Sequence, residues 1–200
     1  LSHKIVKRVV DVLWGLHKEI EMTSRVIKKL KSGIDIKIMH DELFNMTDQS
    51  FETWKPGVPG HGHVWEKTGI RIITNGADDQ LAREKAGKEP TIWHYDYPEL
   101  HKFFKWFTDT YGGTVRKANY YTTPPGSGVV RHFDSHPYFI DKDRFHLVLS
   151  GQYKYTVHGE TEVCSKGDLW WFNNKLEHGS YNHGTEDKIN LVFDVAGLRT

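Results

Sequence analysis

The reading of this chain turns on Arg131-His132-Phe133-Asp134, which is answered 46 residues later (178 − 132 = 46) by Glu177-His178-Gly179. Two imidazoles and one carboxylate can cover one face of a metal ion and leave the opposite face open. That donor set suits non-haem Fe(II) and oxygen chemistry. His132 and Asp134 stand two residues apart, the spacing that puts both side chains on one face of a strand and Phe133 on the other. The H-x-D pattern alone is weak, because 13 His and 14 Asp in 200 residues give about one match by composition. A second copy exists, His94-Tyr95-Asp96. Context separates the two. His132 follows the turn Pro124-Pro125-Gly126 and the short apolar run Val129-Val130, whereas His94 runs into Pro98 and a predicted helix. The second copy therefore reads as surface loop or helix cap.

Around the first motif the texture is that of short strands separated by turns. Strands are predicted over 114–122, 127–133, 144–150, 153–158, 161–164, 168–172, 178–182 and 188–195. Before them, Leu100, Phe103, Phe104, Phe107 and Tyr111 form an aromatic stripe at helical spacing, opened by Pro98 and stopped by Gly112-Gly113. A core helix over 98–111 follows. Residues 69–74 and the alternating Ile34-Asp-Ile-Lys-Ile-Met39 read as strands, and residues 3–31 as one long amphipathic helix ended by Gly33. Residues 51–68 form a Gly/Pro loop holding His61 and His63, a candidate wall or lid of a binding site. Trp54, Trp65, Trp93, His136 and Tyr138 are further candidate lining residues. The expected architecture is mostly β, a single domain over residues 1–200. It has an N-terminal helix over 1–33 and a sandwich or barrel core over 114–196, the segment to which the family resemblance given below assigns a jelly roll.

Composition narrows the function classes. The formal net charge of +1 gives no general attraction to nucleic acid. The single cysteine, Cys164, rules out an intramolecular disulfide and a Cys-rich zinc site. No apolar run reaches 18 residues and the first residues lack a signal-peptide pattern, so a soluble, cytoplasmic protein is expected. The basic face of the N-terminal helix reads as solvated, and the helix offers a face for self-association.

Two basic residues on the predicted strands bear on the chemistry. Arg144 and His146 share the face opposite Phe145, Leu147 and Leu149. An inward arginine in a β-core is costly without an anion, so Arg144 calls for a salt bridge, for instance to Asp141 or Asp143, or for a bound carboxylate near the metal. Lys188 opens the last strand, sharing a face with Asn190 and Val192; it reads either as a surface lysine at a strand end or as an ammonium that holds the far end of a dicarboxylate.

The spacing of Gly126, His132-x-Asp134, Gly167-Asp168, His178 and Asn182 resembles the two motifs of the cupin, or double-stranded β-helix, superfamily. The fuller run also includes Arg144-Phe-His-Leu147, Trp171-Phe172, Glu177-His178, Tyr181-Asn182, Lys188 and Phe193-Asp-Val195. It resembles the aspartyl/asparaginyl β-hydroxylases, which are Fe(II)- and 2-oxoglutarate-dependent oxygenases. The resemblance covers roughly residues 120–196. It implies iron held by His132 and His178, with O2 as co-substrate; Asp134 would add the third ligand, as in the wider superfamily. Arg144 and His146 would face the C1 carboxylate of 2-oxoglutarate. Lys188 stands where the family has an arginine for the C5 carboxylate, and Tyr121 where it has a serine. Asp134 is itself a departure, since the best-known members lack that carboxylate. Its presence argues against their secreted-domain substrates and against halogenation, which needs that position vacant. The implied reaction is hydroxylation of an unactivated C–H in a free amino acid or a peptide or protein side chain. A cupin-type binding or isomerase domain that uses no 2-oxoglutarate is the alternative.

Overall fold

The computed structural model describes residues 26–45, 52–54, 67–74, 92–93 and 96–198. Among these residues, twelve strands and two α-helices run in the order β1 (Ile27–Lys31), α1 (Lys37–Asn45), β2 (Glu52–Trp54), β3 (Lys67–Thr74), β4 (Ile92–Trp93), α2 (Pro98–Tyr111), β5 (Gly112–Thr123), β6 (Gly128–His132), β7 (Lys142–Ser150), β8 (Gln152–Val157), β9 (Glu160–Ser165), β10 (Leu169–Phe172), β11 (His178–Tyr181) and β12 (Lys188–Leu198). All pairings are antiparallel. The large sheet has the order β1-β10-β7-β12-β5-β3-β2, with β4 on β3, and the small sheet the order β6-β11-β8-β9.

The chain is mostly β, and its two sheets fit a jelly roll. Among the described residues no strand pairing joins one sheet to the other, so the arrangement is a sandwich rather than a closed barrel. The sheets meet through Tyr153, Tyr155, Val157 and Cys164 on one side and Val148, Trp170 and Phe172 on the other, all buried.

The helices cover the outer face of the large sheet. The predicted stripe of α2 is buried there, with Leu100, Phe103, Phe104 and Phe107 inside and the Phe107 ring 4.8 Å from Phe145 and 5.0 Å from Phe193. Burying each such ring contributes roughly 1.5–3 kcal/mol. Tyr97 gives α2 no side-chain cap; the Glu42 carboxylate on α1 accepts from the Glu99 and Leu100 amides instead. This ties α1 to the first turn of α2, where exposed N–H groups need acceptors.

Two expectations near the N-terminus fail. The predicted strand over 34–39 does not form: residues 34–36 are irregular and α1 begins at Lys37, whose amide donates to Asp35, with Ile36, Met39 and Leu43 buried together. The alternation of Ile34, Ile36 and Ile38 was misleading, because Ile38 is 58% exposed. The long helix over 3–31 is not shown. Its last residues form β1, an edge strand that pairs Ile27 with Phe172 and Lys29 with Trp170. An open sheet edge has unpaired N–H and C=O groups, and satisfying them outweighs a helical pattern in this segment. The remainder of that predicted helix lies outside the described residues. So do His61, His63, Trp65, His94 and most of the predicted 51–68 loop.

Candidate metal centre and its pocket

His132 ends β6 and His178 begins β11, and the register sets the two residues opposite each other. The strands approach closely because of two glycines. A Cβ on Gly128 would lie 2.1 Å from the Ser180 carbonyl oxygen, and one on Gly179 would lie 2.8 Å from that of Val129. The imidazole centroids are 4.3 Å apart. Asp134 lies just beyond β6, where its amide donates to the Asn174 carbonyl at 3.1 Å. One Asp134 oxygen is 3.6 Å from His132 Nε2 and the other 4.0 Å from His178 Nε2. Phe133 points away, 58% exposed. Among the described residues these three form the one group of His, Cys, Asp or Glu donors whose ligand atoms all lie within 4.8 Å of one another.

Each ring is oriented for ligation. Nδ1 of His132 is 2.9 Å from the Val130 carbonyl oxygen, and Nδ1 of His178 is 2.8 Å from that of Leu176. A carbonyl can only accept, so Nδ1 carries a proton in both rings and Nε2 is the nitrogen turned to the site. Burial pushes His178 down to about 4, partly countered by the charge of Asp134, so the ring is neutral at pH 7. Burial alone would raise the Asp134 carboxyl, but the Arg144 charge, helped by His132, His178 and Asn174, holds it well below the usual carboxylate range. Two neutral imidazoles and one ionised carboxylate are the state in which these groups bind a divalent transition metal. The donors present fit Fe(II).

The site opens into a pocket of about 100 Å³ between the two sheets, lined by His132, His178, Arg144, His146, Tyr121 and Lys188 among others. Strands β5 and β12 supply one wall in register, with Lys188 opposite Thr123, Asn190 opposite Tyr121, Val192 opposite Asn119 and Asp194 opposite Lys117. Six of the seven predicted site residues thus line one cavity, and the seventh, Asp134, stands beside the two histidines.

Their partners differ from the expectation in places. The Arg144 guanidinium is gripped by Asp194 through Nε at 2.7 Å and Nη2 at 3.1 Å, while Nη1 donates to Asp134 Oδ2 at 2.5 Å. The salt bridge foreseen for it is real, but to neither suggested partner. Asp143 accepts from Trp171 Nε1, and Asp141 pairs with Lys142. Tyr121 receives a hydrogen bond from Asn119 Nδ2, and burial raises its phenol. His146 is buried, its Nδ1 3.1 Å from the Tyr153 hydroxyl, which accepts from Asn190 Nδ2 at 2.8 Å. The Tyr138 side chain is buried, and His136 Nδ1 accepts from the Tyr138 amide. Neither lines this pocket. Lys188 is 3% exposed, donates to Ser180 Oγ at 3.0 Å and lies 4.1 Å from the Tyr153 ring centre. Among the described residues no carboxylate pairs with it. Burial lowers its ammonium to about 8.

The sequence reading missed Asp194 and Asn174. Asp194 had left a signal, because it continues the alternating face of Lys188, Asn190 and Val192; Asn174 had left none.

Residues 119–193 match the cupin domain family model. The cupin match takes in both histidines, Asp134, Arg144 and Lys188, and covers less than half of the chain. Among solved structures, an oxidoreductase of the 2OG-Fe(II) oxygenase family from Burkholderia pseudomallei superposes with a TM-score of 0.60 at 12% identity, over 88% of each chain. A predicted oxalate decarboxylase from Thermotoga maritima gives 0.45 at 14% identity, over 76% of this chain and 96% of its own. A cupin 2 conserved barrel domain protein from Rhodopseudomonas palustris gives 0.43 at 10% identity, over 76% and 74%. The first of these likenesses extends the shared fold beyond the cupin match to most of the chain. A search of curated proteins finds no matching relative. No helix among the described residues is long and apolar enough to cross a membrane.

Proposed function

We propose that the chain is an Fe(II)- and 2-oxoglutarate-dependent dioxygenase that hydroxylates an unactivated C–H of an amino acid or of a peptide or protein side chain. The observation that carries this reading is one pocket that holds both a three-donor metal site and a buried lysine with no carboxylate partner among the described residues. A buried cation without a counter-charge is costly, and a ligand carboxylate offsets that cost.

His132, Asp134 and His178 would hold the iron. Bound together, Fe(II), 2-oxoglutarate and O2 supply the oxidising chemistry, with succinate and CO2 as by-products. The protein's part is positional. Lys188 would anchor the far carboxylate of 2-oxoglutarate. The hydroxyls beside it belong to Ser180, which already accepts from its ammonium, and to Thr123, directly opposite in register. Tyr121, the hydroxyl expected from the family resemblance, stands one pair further along, opposite Asn190. His146 lines the pocket for the C1 end, with its ring fixed by Tyr153.

A second reading rests on Arg144. Its donors are engaged by two carboxylates of the chain, which suits a cupin-type metal or isomerase domain with no 2-oxoglutarate. Anaerobic absorbance separates the two. Addition of 2-oxoglutarate to the Fe(II) protein is expected to produce a visible charge-transfer band that His132→Ala abolishes. Fe(II) binding with no such band would sink the oxygenase reading and favour the alternative.

A further inference from the structure

We infer that Arg144 is a positioning residue for the metal ligand Asp134. In this role it makes Asp134 offer the metal one oxygen, Oδ1. The inference rests on the metal-site part of the reading above and is independent of 2-oxoglutarate.

The geometry is specific about which oxygen is tied. Asp134 Oδ2 accepts from both Arg144 Nη1 and Asn174 Nδ2, the latter at 2.9 Å. Oδ1 has neither contact and faces His132 Nε2 at 3.6 Å. Two charge-assisted donors on one oxygen leave the other as the freer base and oppose a rotation that would present both to one ion. The guanidinium is itself immobilised. Asp194, 2% exposed at its side chain, takes Nε and Nη2 in a two-pronged grip, so the third donor can aim in one direction only. Asn174 stands on the turn after β10, and its own carbonyl accepts from the Asp134 amide, which holds the two residues side by side. Strands β7 and β12 align Arg144 with Asp194 directly across the sheet. The β-scaffold therefore reaches the metal ligand through a chain of three side chains, Asp194 to Arg144 to Asp134. Three of the five guanidinium N–H groups are committed in this way, one on each nitrogen.

The test uses Co(II) alone on the full chain, without oxygen or 2-oxoglutarate. Arg144→Gln combined with Asp194→Asn removes the arginine together with the charge of its other partner, so that Asp194 is not left unpaired, while Asp134 keeps the hydrogen bond from Asn174. The expected result is a Co(II) affinity 10- to 100-fold weaker than wild type. The Co(II) ligand-field spectrum should also change, as Asp134 becomes free to offer both oxygens. Asn174→Ala removes the other donor without touching charge. It should move affinity and spectrum in the same direction by a smaller factor, and it serves if the double variant fails to fold. Arg144→Lys, which keeps one charged donor, should restore part of the affinity. Co(II) affinity and spectrum within twofold of wild type, with 2-oxoglutarate binding lost at saturating Co(II), would overturn the inference and make Arg144 a receptor for the co-substrate. Failure of the underlying metal site shows itself differently: wild type and Asp134→Ala would then bind Co(II) alike.

Discussion

Replacing Lys188 with methionine should stabilise the ligand-free protein while destroying its affinity for a dicarboxylate. The ammonium is 3% exposed and its pKa is lowered from 10.5 to about 8, which measures the cost of keeping the charge buried. At about 1.4 kcal/mol per unit, that cost is about 3 kcal/mol. Methionine has similar length and no charge. It forfeits the hydrogen bond to Ser180 and the contact with the Tyr153 ring, together about 1–2 kcal/mol. The net expectation is a gain of about 1–2 kcal/mol and a rise in Tm of a few degrees. In the complex the sign reverses. A ligand carboxylate that loses its buried partner loses about 3–5 kcal/mol, more than a hundredfold in Kd. The assay is a pair of titrations, thermal melting of the metal-free protein and anaerobic 2-oxoglutarate binding to the Fe(II) form. The pH dependence provides an internal check. The folded pKa lies below the unfolded one, so the unfolded state binds more protons between about 8 and 10.5, and wild-type stability from this group rises across that window. The advantage of Lys188→Met should shrink over the same range, and wild-type affinity for the dianion should fall as pH rises past about 8. A variant that melts lower than wild type and still binds 2-oxoglutarate normally would refute the reasoning.

The His178 imidazole of the metal-free protein should stay neutral from pH 7 to pH 5 and take up its proton only near 4; an NMR titration of that ring checks it, and a midpoint near 6.5 would contradict it. Gly128→Ala should cost roughly 1–3 kcal/mol and weaken metal binding as well, since its methyl would meet the Ser180 carbonyl and push the two ligand strands apart; denaturant unfolding and Co(II) affinity read the two effects. Phe107→Ala, on the far side of the large sheet, should cost about 3–5 kcal/mol in the same unfolding assay and leave the Co(II) affinity of the folded fraction within twofold.

The parts of the fold legible in the sequence are those whose burial is set by one neighbour. The stripe of α2 packs on one sheet face, and strands β5 to β12 are separated by turns that glycine and proline announce; both were readable. The three metal donors were readable because strand periodicity and the facing strand agree on where they point. Less was legible where the deciding partner lies far along the chain. Segment 27–31 is a strand because the edge of β10, some 140 residues later, has unpaired backbone groups. Residues 37–45 are a helix because Met39 and Leu43 find one apolar surface, although Ile34, Ile36 and Ile38 alternate. The identity of Arg144's partners needed the register of β7 on β12, which no local pattern encodes.

Strand β12 divides its residues by parity. Ile189, Leu191, Phe193 and Val195 belong to the core beneath the helices, while Lys188, Asn190, Val192 and Asp194 line the pocket. Two selective pressures therefore act on interleaved letters of one short word. Substitutions at even positions can retune what the cavity accepts while the odd positions keep the molecule folded, so new specificities are reachable by single steps. A one-residue insertion or deletion is different in kind. It would exchange the two alphabets at once, setting a lysine and an aspartate among phenylalanines and aromatic rings beside the metal. The strand should thus be permissive to point changes and closed to changes of length.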